Sequence, residues 1–418
     1  MSDNEENLSL FSAYGVELEY GIVDLETFDV APVADRLLAR FSDGDPEAEI
    51  EFDDVAWSNE LVLHVLEMKT NGPRESLADL ARTFQENATR ANEELASLGA
   101  TLLPSGMHPW MDPETETRLW PHEYGPVYRT FDRIFGCRGH GWSNLQSTHL
   151  NLPFRGDEEF ARLHEAIRLV LPLIPALTAS SPIADGKVTG FHDTRLEVYR
   201  HNARRVPSVS GVVVPESVAT ESGYEALLQS VYRDLAPHDP EGVLRHPWVN
   251  ARGAIARFDR GSIEIRIIDS QECPAADVAA VALVGAVVRA LVEGALPGVA
   301  SPWAEGRLAE IFLASVRDGD DVEIADREFL RAFGHAGAGP LRGRDLWAEL
   351  LDRCLPLDGA GREWREPLDV WRRHGTLARR ILDALGRPPA GTVVPRPALV
   401  ETYRALARSL ARGISFVP

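Results

Sequence analysis

The stretch YGVELEYGIV, Tyr14 to Val23, decides how the rest of the chain is read. Its alternation makes it a strand, and residues two apart in a strand project to the same face. Glu17 and Glu19 therefore stand side by side, with Val16, Leu18 and Tyr20 facing the other way. Two neighbouring carboxylates repel, so a buried or half-buried position requires a shared proton or a counter-cation. A solvent-facing strand edge would require neither.

Three later stretches repeat the theme. ELVLHVLEMKT (Glu60–Thr70) carries Glu60 and Glu67, seven residues apart and so on opposite faces of an unbroken strand. Glu60 joins Glu67 only if it precedes the strand proper or lies beyond a bulge. Alone it reads as a surface residue. QSTHLNLPF (Gln146–Phe154) places His149 and Asn151 on one face with Ser147, and a lone strand histidine is ordinarily structural. RGSIEIRIIDS (Arg260–Ser270) places Glu264 and Arg266 on one face, with Ile263, Ile265 and Ile267 on the other. A surface ion pair would explain these two equally well.

Together the four strands describe a polar cleft: ionic groups line one face of a sheet whose other face is apolar. The donors are carboxylates and one imidazole, which suit Mg²⁺ or Mn²⁺ better than zinc or copper. Carboxylates mixed with arginines point to cations bridging a phosphate-rich ligand, most economically a nucleotide. Neither a Walker-type nor a Rossmann glycine motif follows a strand, so metals and arginines would hold that nucleotide.

Strand candidates are Tyr14–Asp24, Leu61–Thr70, Gln146–Pro153, Ser208–Pro215 and Ser262–Asp269, and helical patterns run over Pro73–Leu98, Asp157–Thr178, Tyr224–Leu235 and Pro274–Leu296. Beyond residue 300 the pattern is helical, near Trp303–Asp318, Asp326–Phe333, Arg344–Cys354, Pro367–Leu385 and Pro397–Arg412. The fold class expected is α+β. Residues 1–300 would form the catalytic domain and 301–418 a helical extension packed on the same body. The acidic segment Ser42–Asp54 reads as a solvated loop.

A net charge of −21 argues against nucleic acid or an anionic membrane as the main partner. The most apolar run, Val278 to Val288, is shorter than a bilayer span. Three widely spaced cysteines give neither a zinc spacing nor a disulfide framework, which suits a reducing cytoplasm.

The order E-x-E, a glutamate pair, a strand histidine and E-x-R resembles the glutamine synthetase-like superfamily of carboxylate–amine ligases. Within it the chain is most similar to the glutamate–cysteine ligase type 2 family. GVELEYGIVD, ELVLHVLEMKT, SGMHPW, STHLNLP, SPIADGKVTGFHDTRLEVYR and GSIEIRIIDS carry that resemblance, over roughly residues 14–295.

The resemblance implies a curved antiparallel sheet forming half a barrel, with helices on its outer face. It implies ATP and Mg²⁺ or Mn²⁺ as cofactors, and glutamate with an amine such as cysteine as substrates. Glu17, His149 and Glu264 would hold one metal ion, Glu19, Glu60 and Glu67 another, and Arg266 would steady the phosphoryl group. Lys187, Arg195, Arg200, Arg204 and Arg205 are candidates to grip a carboxylate or the phosphates, Arg195 first because TGFHDTR best matches the family loop. Arginine's bidentate fork suits that task.

The family pattern often has a second histidine where Asn151 stands, and an asparagine can hydrogen-bond there but cannot become cationic. His108 in MHPW would either line the cleft or pack its turn. The expected reaction is ATP-dependent amide formation through an acyl phosphate. Its rivals are a ligase for another amine or carboxylate, a metabolite-binding homologue with weak catalysis, and a metal-dependent phosphatase or hydrolase. The oligomeric state is left open, a homo-oligomer included.

Overall fold

The strands Gly15–Asp24 (β1), Glu49–Glu51 (β2), Val55–Asn59 (β3), Val65–Thr70 (β4), Ala100–Leu103 (β5) and Ser147–Pro153 (β6) come first. A small hairpin, Ile183–Ala184 (β7) with Lys187–Val188 (β8), separates them from Ala254–Arg257 (β9) and Ser262–Asp269 (β10). In this computed structural model, which describes residues 8–418, eight of these strands make one open sheet. Its order is β2-β3-β4-β1-β6-β10-β9, and β5 pairs with the far end of β1. Every pairing is antiparallel. The expected glutamine synthetase-like fold class, an open antiparallel sheet backed by helices, is the one observed.

The apolar face of the sheet is fully buried. Val16, Leu18 and Tyr20 of β1, Leu66 and Met68 of β4, and Leu150 and Leu152 of β6 are each 0% exposed. They share one core with the helices Leu80–Ala96, Gly156–Val170 and Pro274–Val292. The third of these helices holds the apolar run Val278–Val288 within its nineteen residues. It is the one described helix long and apolar enough to cross a membrane, and 78% of its apolar window is buried inside the protein. Its burial on most sides explains why Asp277 and Arg289 are the charged residues it carries.

Asp277, near the start of that helix, staples the sheet from behind. It accepts hydrogen bonds from Tyr20 Oη at 2.7 Å, Thr148 Oγ1 at 2.7 Å and the Gln271 amide at 2.8 Å. Tyr20 and Thr148 neighbour Glu19 and His149 in sequence, so the staple fixes both strands of the site.

Some expectations are corrected. Ser208–Pro215 is no strand: it is a 3₁₀ turn at Pro207–Val209 followed by a tight bend with Val213 at φ 71°. The backbone there bonds across to Gly253, whose amide donates to Val213 O at 2.7 Å. The acidic segment before residue 55 contains β2, and β3 follows it. The long pattern Pro367–Leu385 breaks into Arg365–His374 and Leu377–Ala384 at Gly375, φ 80°. Beyond residue 300 a short pair, Glu323–Ile324 (β11) with Leu341–Arg342 (β12), interrupts the helices.

The C-terminal helices share the main core: Leu346, Trp347, Leu368 and Leu410 belong to the same buried cluster as β1. They also grip the loop around the β7–β8 hairpin. His192 N and Asp193 N donate to Arg317 O at 3.0 Å and Val316 O at 3.1 Å, and Ala378 N donates to Ala179 O at 2.8 Å.

Candidate active site

The registers bring the charged residues into one row. Across the sheet, Glu17 pairs with Lys69 on β4 and with His149 on β6, and Glu19 pairs with Glu67. Glu264 on β10 lies opposite Asn151. Glu60 sits just past β3, in the turn that leads to β4, as its spacing from Glu67 requires. All of them line a single cleft of about 840 Å³.

β10 contributes through a bulge. Ile265 pairs with Leu150, but the next pairing is Ile268 with Thr148, so one extra residue is accommodated between them. The shift buries both Ile267 and Ile268 and brings Asp269 opposite Ser147. Simple alternation places Asp269 on the far face, which is why the sequence did not single it out.

The carboxylates are tightly coupled to His149. Its Nδ1 bonds Glu17 Oε2 at 2.7 Å, and the ring lies 3.5 Å from Glu19 Oε1 and 3.6 Å from Glu264 Oε1. Burial pulls the imidazole pKa down, but the Glu17 bond and the charges of Glu17, Glu19 and Glu264 outweigh it and raise it to about 10. Burial pushes Glu17 up in turn, and His149, Lys69 and Asn151 overcome this to hold it at about 2. Glu67 rises to about 7 through burial and the nearby Glu17 charge, against the pull of Lys69 and its 2.6 Å bond from Ser58 Oγ. Burial, then Glu19 and Glu67, drive Glu60 well above the carboxylate range.

This donor set fits a hard divalent cation. Glu17, His149 and Glu264 offer one ligand atom each, all within 4.8 Å of one another, and so do Glu19, Glu67 and His149. Glu60 lines the same cleft outside those two compact groups. Asn151 Nδ2 donates to Glu17 Oε1 at 3.0 Å, so the residue in the second-histidine position orients a carboxylate. Arg266 Nε donates to Glu264 Oε1 at 3.0 Å.

At the Ser147 end of the cleft lies Arg195, 2% exposed. Its Nε donates to Asp269, whose other oxygen accepts from Ser180 N at 2.8 Å and Ser181 Oγ at 3.0 Å. Gly106 permits this packing, because a Cβ there would sit 2.7 Å from Asp269 Oδ2. Arg195 Nη2 is buried and has no hydrogen-bond partner among the described residues. Tyr199, Tyr128 and an aromatic wall of Phe131, Trp142 and Trp248 complete that end, and Arg257 and Arg260 line the Ser262 end.

Several predicted cations fall elsewhere. Lys187 is exposed on β8, and Arg204 and Arg205 are exposed on the surface. Arg205 Nη1 caps Ile134 O at 3.0 Å, and Arg200 pairs with Glu197 of its own helix at 2.8 Å. None of these four lines the cleft. His108 packs its turn: it is 4% exposed, its Nε2 lies 2.9 Å from Phe28 O, and burial lowers it to about 3. Lys69, Tyr128 and Tyr199 are among the cleft residues that the sequence reading missed, as is Asp269, buried behind Arg195. Lys69 had a signal, the same two-residue offset from Glu67 that paired Glu17 with Glu19.

The profile of glutamate–cysteine ligase family 2 matches residues 13–390. The chain belongs to that family. An uncharacterised protein of Archaeoglobus fulgidus is 39% identical over 67% of this chain and 74% of its own length. A Rubrobacter xylanophilus protein provisionally named glutamate–cysteine ligase 2-1 is 29% identical over 67% of each chain. Among solved structures, the glutamate–cysteine ligase of Francisella tularensis in complex with AMP superposes with a TM-score of 0.64 at 13% identity. The superposition covers 96% of this chain and 89% of that one, and at such low identity it speaks for the fold alone.

Proposed function

We propose that the protein is an ATP-dependent carboxylate–amine ligase of the glutamate–cysteine ligase type. The observation that carries this reading is the single cleft in which Glu17, Glu19, Glu60, Glu67 and Glu264 surround His149, with Arg266 at their edge. Family membership supports the same nucleotide chemistry, and the fold is shared with a ligase whose structure holds AMP.

In this reading a substrate carboxylate oxygen, most simply the γ-carboxylate of glutamate, attacks the γ-phosphorus of ATP. The bond to the ADP oxygen breaks and an acyl phosphate forms. The amine, cysteine's in the simplest case, then attacks the acyl carbon, loses a proton and expels phosphate, leaving an amide. Glu17, His149 and Glu264 would hold one Mg²⁺ and Glu19 and Glu67, with Glu60 behind them, another. When bound, these ions neutralise charge on the phosphoryl oxygens. Arg266 adds a fixed positive charge beside that position, worth most where water is excluded. Arg195, which lines the cleft, would hold a substrate carboxylate, and its pairing with Asp269 keeps the guanidinium from turning away.

A different acceptor amine is the second reading. Phe131 lies 5.2 Å from Trp142 and 5.8 Å from Trp248 between ring centroids, and this wall suits an amine with an apolar body. Mass spectrometry of products after incubation with ATP, Mg²⁺, glutamate and a pool of amines separates the two. γ-Glutamylcysteine as the main product supports the first reading and a different conjugate the second. ATP bound without ADP release for any amine would instead mark a metabolite-binding homologue.

A further inference from the structure

The chain has 43 basic residues, and only Lys69 and Lys187 among them are lysines. Lys187 is exposed outside the cleft, whereas Lys69 lies on the cleft floor among the carboxylates. Alternation along β4 puts it on the face of Glu67, and the β1–β4 register sets it opposite Glu17. On its other side it pairs with Ala56 of β3, too small to block its reach. Across that gap Lys69 Nζ forms an ion pair with Glu49 of the edge strand β2. The same nitrogen lies 3.6 Å from Glu67 Oε1.

Lys69 is thus shared between two carboxylates of different kinds. Glu67 belongs to a compact ligand group with Glu19 and His149. The Glu49 side chain is 42% exposed and lies outside both compact ligand groups. The other cleft-floor cation near the bed, Arg266, is held by two bonds to Glu264 through a rigid fork. A lysine has no such fork. Its flexible stem and point charge let it leave one carboxylate for another at small cost.

We propose that Lys69 is a tethered counter-cation that neutralises the Glu17–Glu67 bed until a divalent ion enters, and that Glu49 is the partner onto which it withdraws. This inference rests on the metal-binding reading above. Lys69 and an incoming ion compete for the negative charge of Glu67, while Glu49 draws Lys69 away from that competition. The two residues therefore act on metal affinity with opposite sign, although neither is a ligand.

The test is calorimetric titration of Mg²⁺ alone into the full-length protein, without nucleotide, with thermal melts as a second readout. Removing a unit charge a few ångströms from the bed tightens Mg²⁺ binding by about tenfold in Lys69→Met. Lys69→Arg, which keeps the charge, stays within about threefold of wild type. Glu49→Gln weakens Mg²⁺ binding several-fold, because Lys69 then leans on Glu67 alone, and this variant reads the coupling even if Lys69→Met folds poorly. Wild-type protein that binds no Mg²⁺ sinks the metal site and this proposal together. Wild type that binds Mg²⁺, with Glu49→Gln unchanged or tightened or a folded Lys69→Met no tighter, sinks the proposal alone.

Discussion

His149 Nδ1 and Glu17 Oε2 meet at 2.7 Å across neighbouring antiparallel strands, and this contact anchors the whole carboxylate bed. It makes Glu17 the most informative residue to change. Glu17→Gln keeps the shape and removes the charge, and it lies outside the hydrophobic core. Turnover, measured as ADP release, is expected to fall by at least about a hundredfold, the scale seen when one transition-state charge partner is lost. Far-ultraviolet circular dichroism should stay at the wild-type level. Full activity in this variant removes Glu17 from the metal site.

The crowding of Glu17, Glu19, Glu60, Glu67 and Glu264 predicts a stability response to the ion itself. Without a divalent cation the bed relies on His149, Lys69 and Arg266 for compensation. Millimolar Mg²⁺ should therefore raise the melting temperature, by linkage amounting to about 2.7 kcal/mol at a hundredfold excess over Kd. An unchanged melting curve, with and without ATP, counts against any cation site in the cleft.

Arg195 and Asp269 make a separable prediction about substrate. Arg195→Lys keeps a charge but loses the planar fork, whose Nε pairs with Asp269 and whose Nη2 is buried without a partner. KM for the carboxylate substrate should rise about tenfold or more, and KM for ATP should stay within about twofold. A rise confined to ATP would move Arg195 to the phosphates.

How much of this was legible in the sequence depended on local regularity. Glu17 and Glu19, Glu264 and Arg266, and His149 with Asn151 were readable because each pair obeys the two-residue period on a strand with one apolar face. β3 was not, because Val55–Asn59 is buried on both faces and shows no alternation. Asp269 was hidden by the bulge after Ile265, a tertiary feature with no signature in RGSIEIRIIDS. The arginines after Arg195 failed for another reason. A run of cations on a short helix and its following turns cannot all face one cleft, and only the buried one does.

Away from the site, three buried histidines predict acid sensitivity. His64, His108 and His164 are 3%, 4% and 1% exposed, and burial lowers their pKa values to about 4, 3 and 3. An unfolded chain titrates them near their ordinary value of about 6.5, so between there and the folded values the unfolded state binds more protons. Their stabilising contribution is complete above that ordinary value and is lost as pH falls toward 4. Each costs roughly 1 kcal/mol of stability per pH unit within that window. His164 isolates the effect, since its ring stacks on Phe160 at 5.2 Å and lies far from the carboxylate bed in the fold's helical layer. His164→Phe cannot take up the proton. Thermal melts from pH 7.5 down to 4.5 should therefore show a shallower decline for this variant than for wild type, whatever its stability at neutral pH. Parallel declines in the two proteins assign the acid sensitivity to groups other than His164.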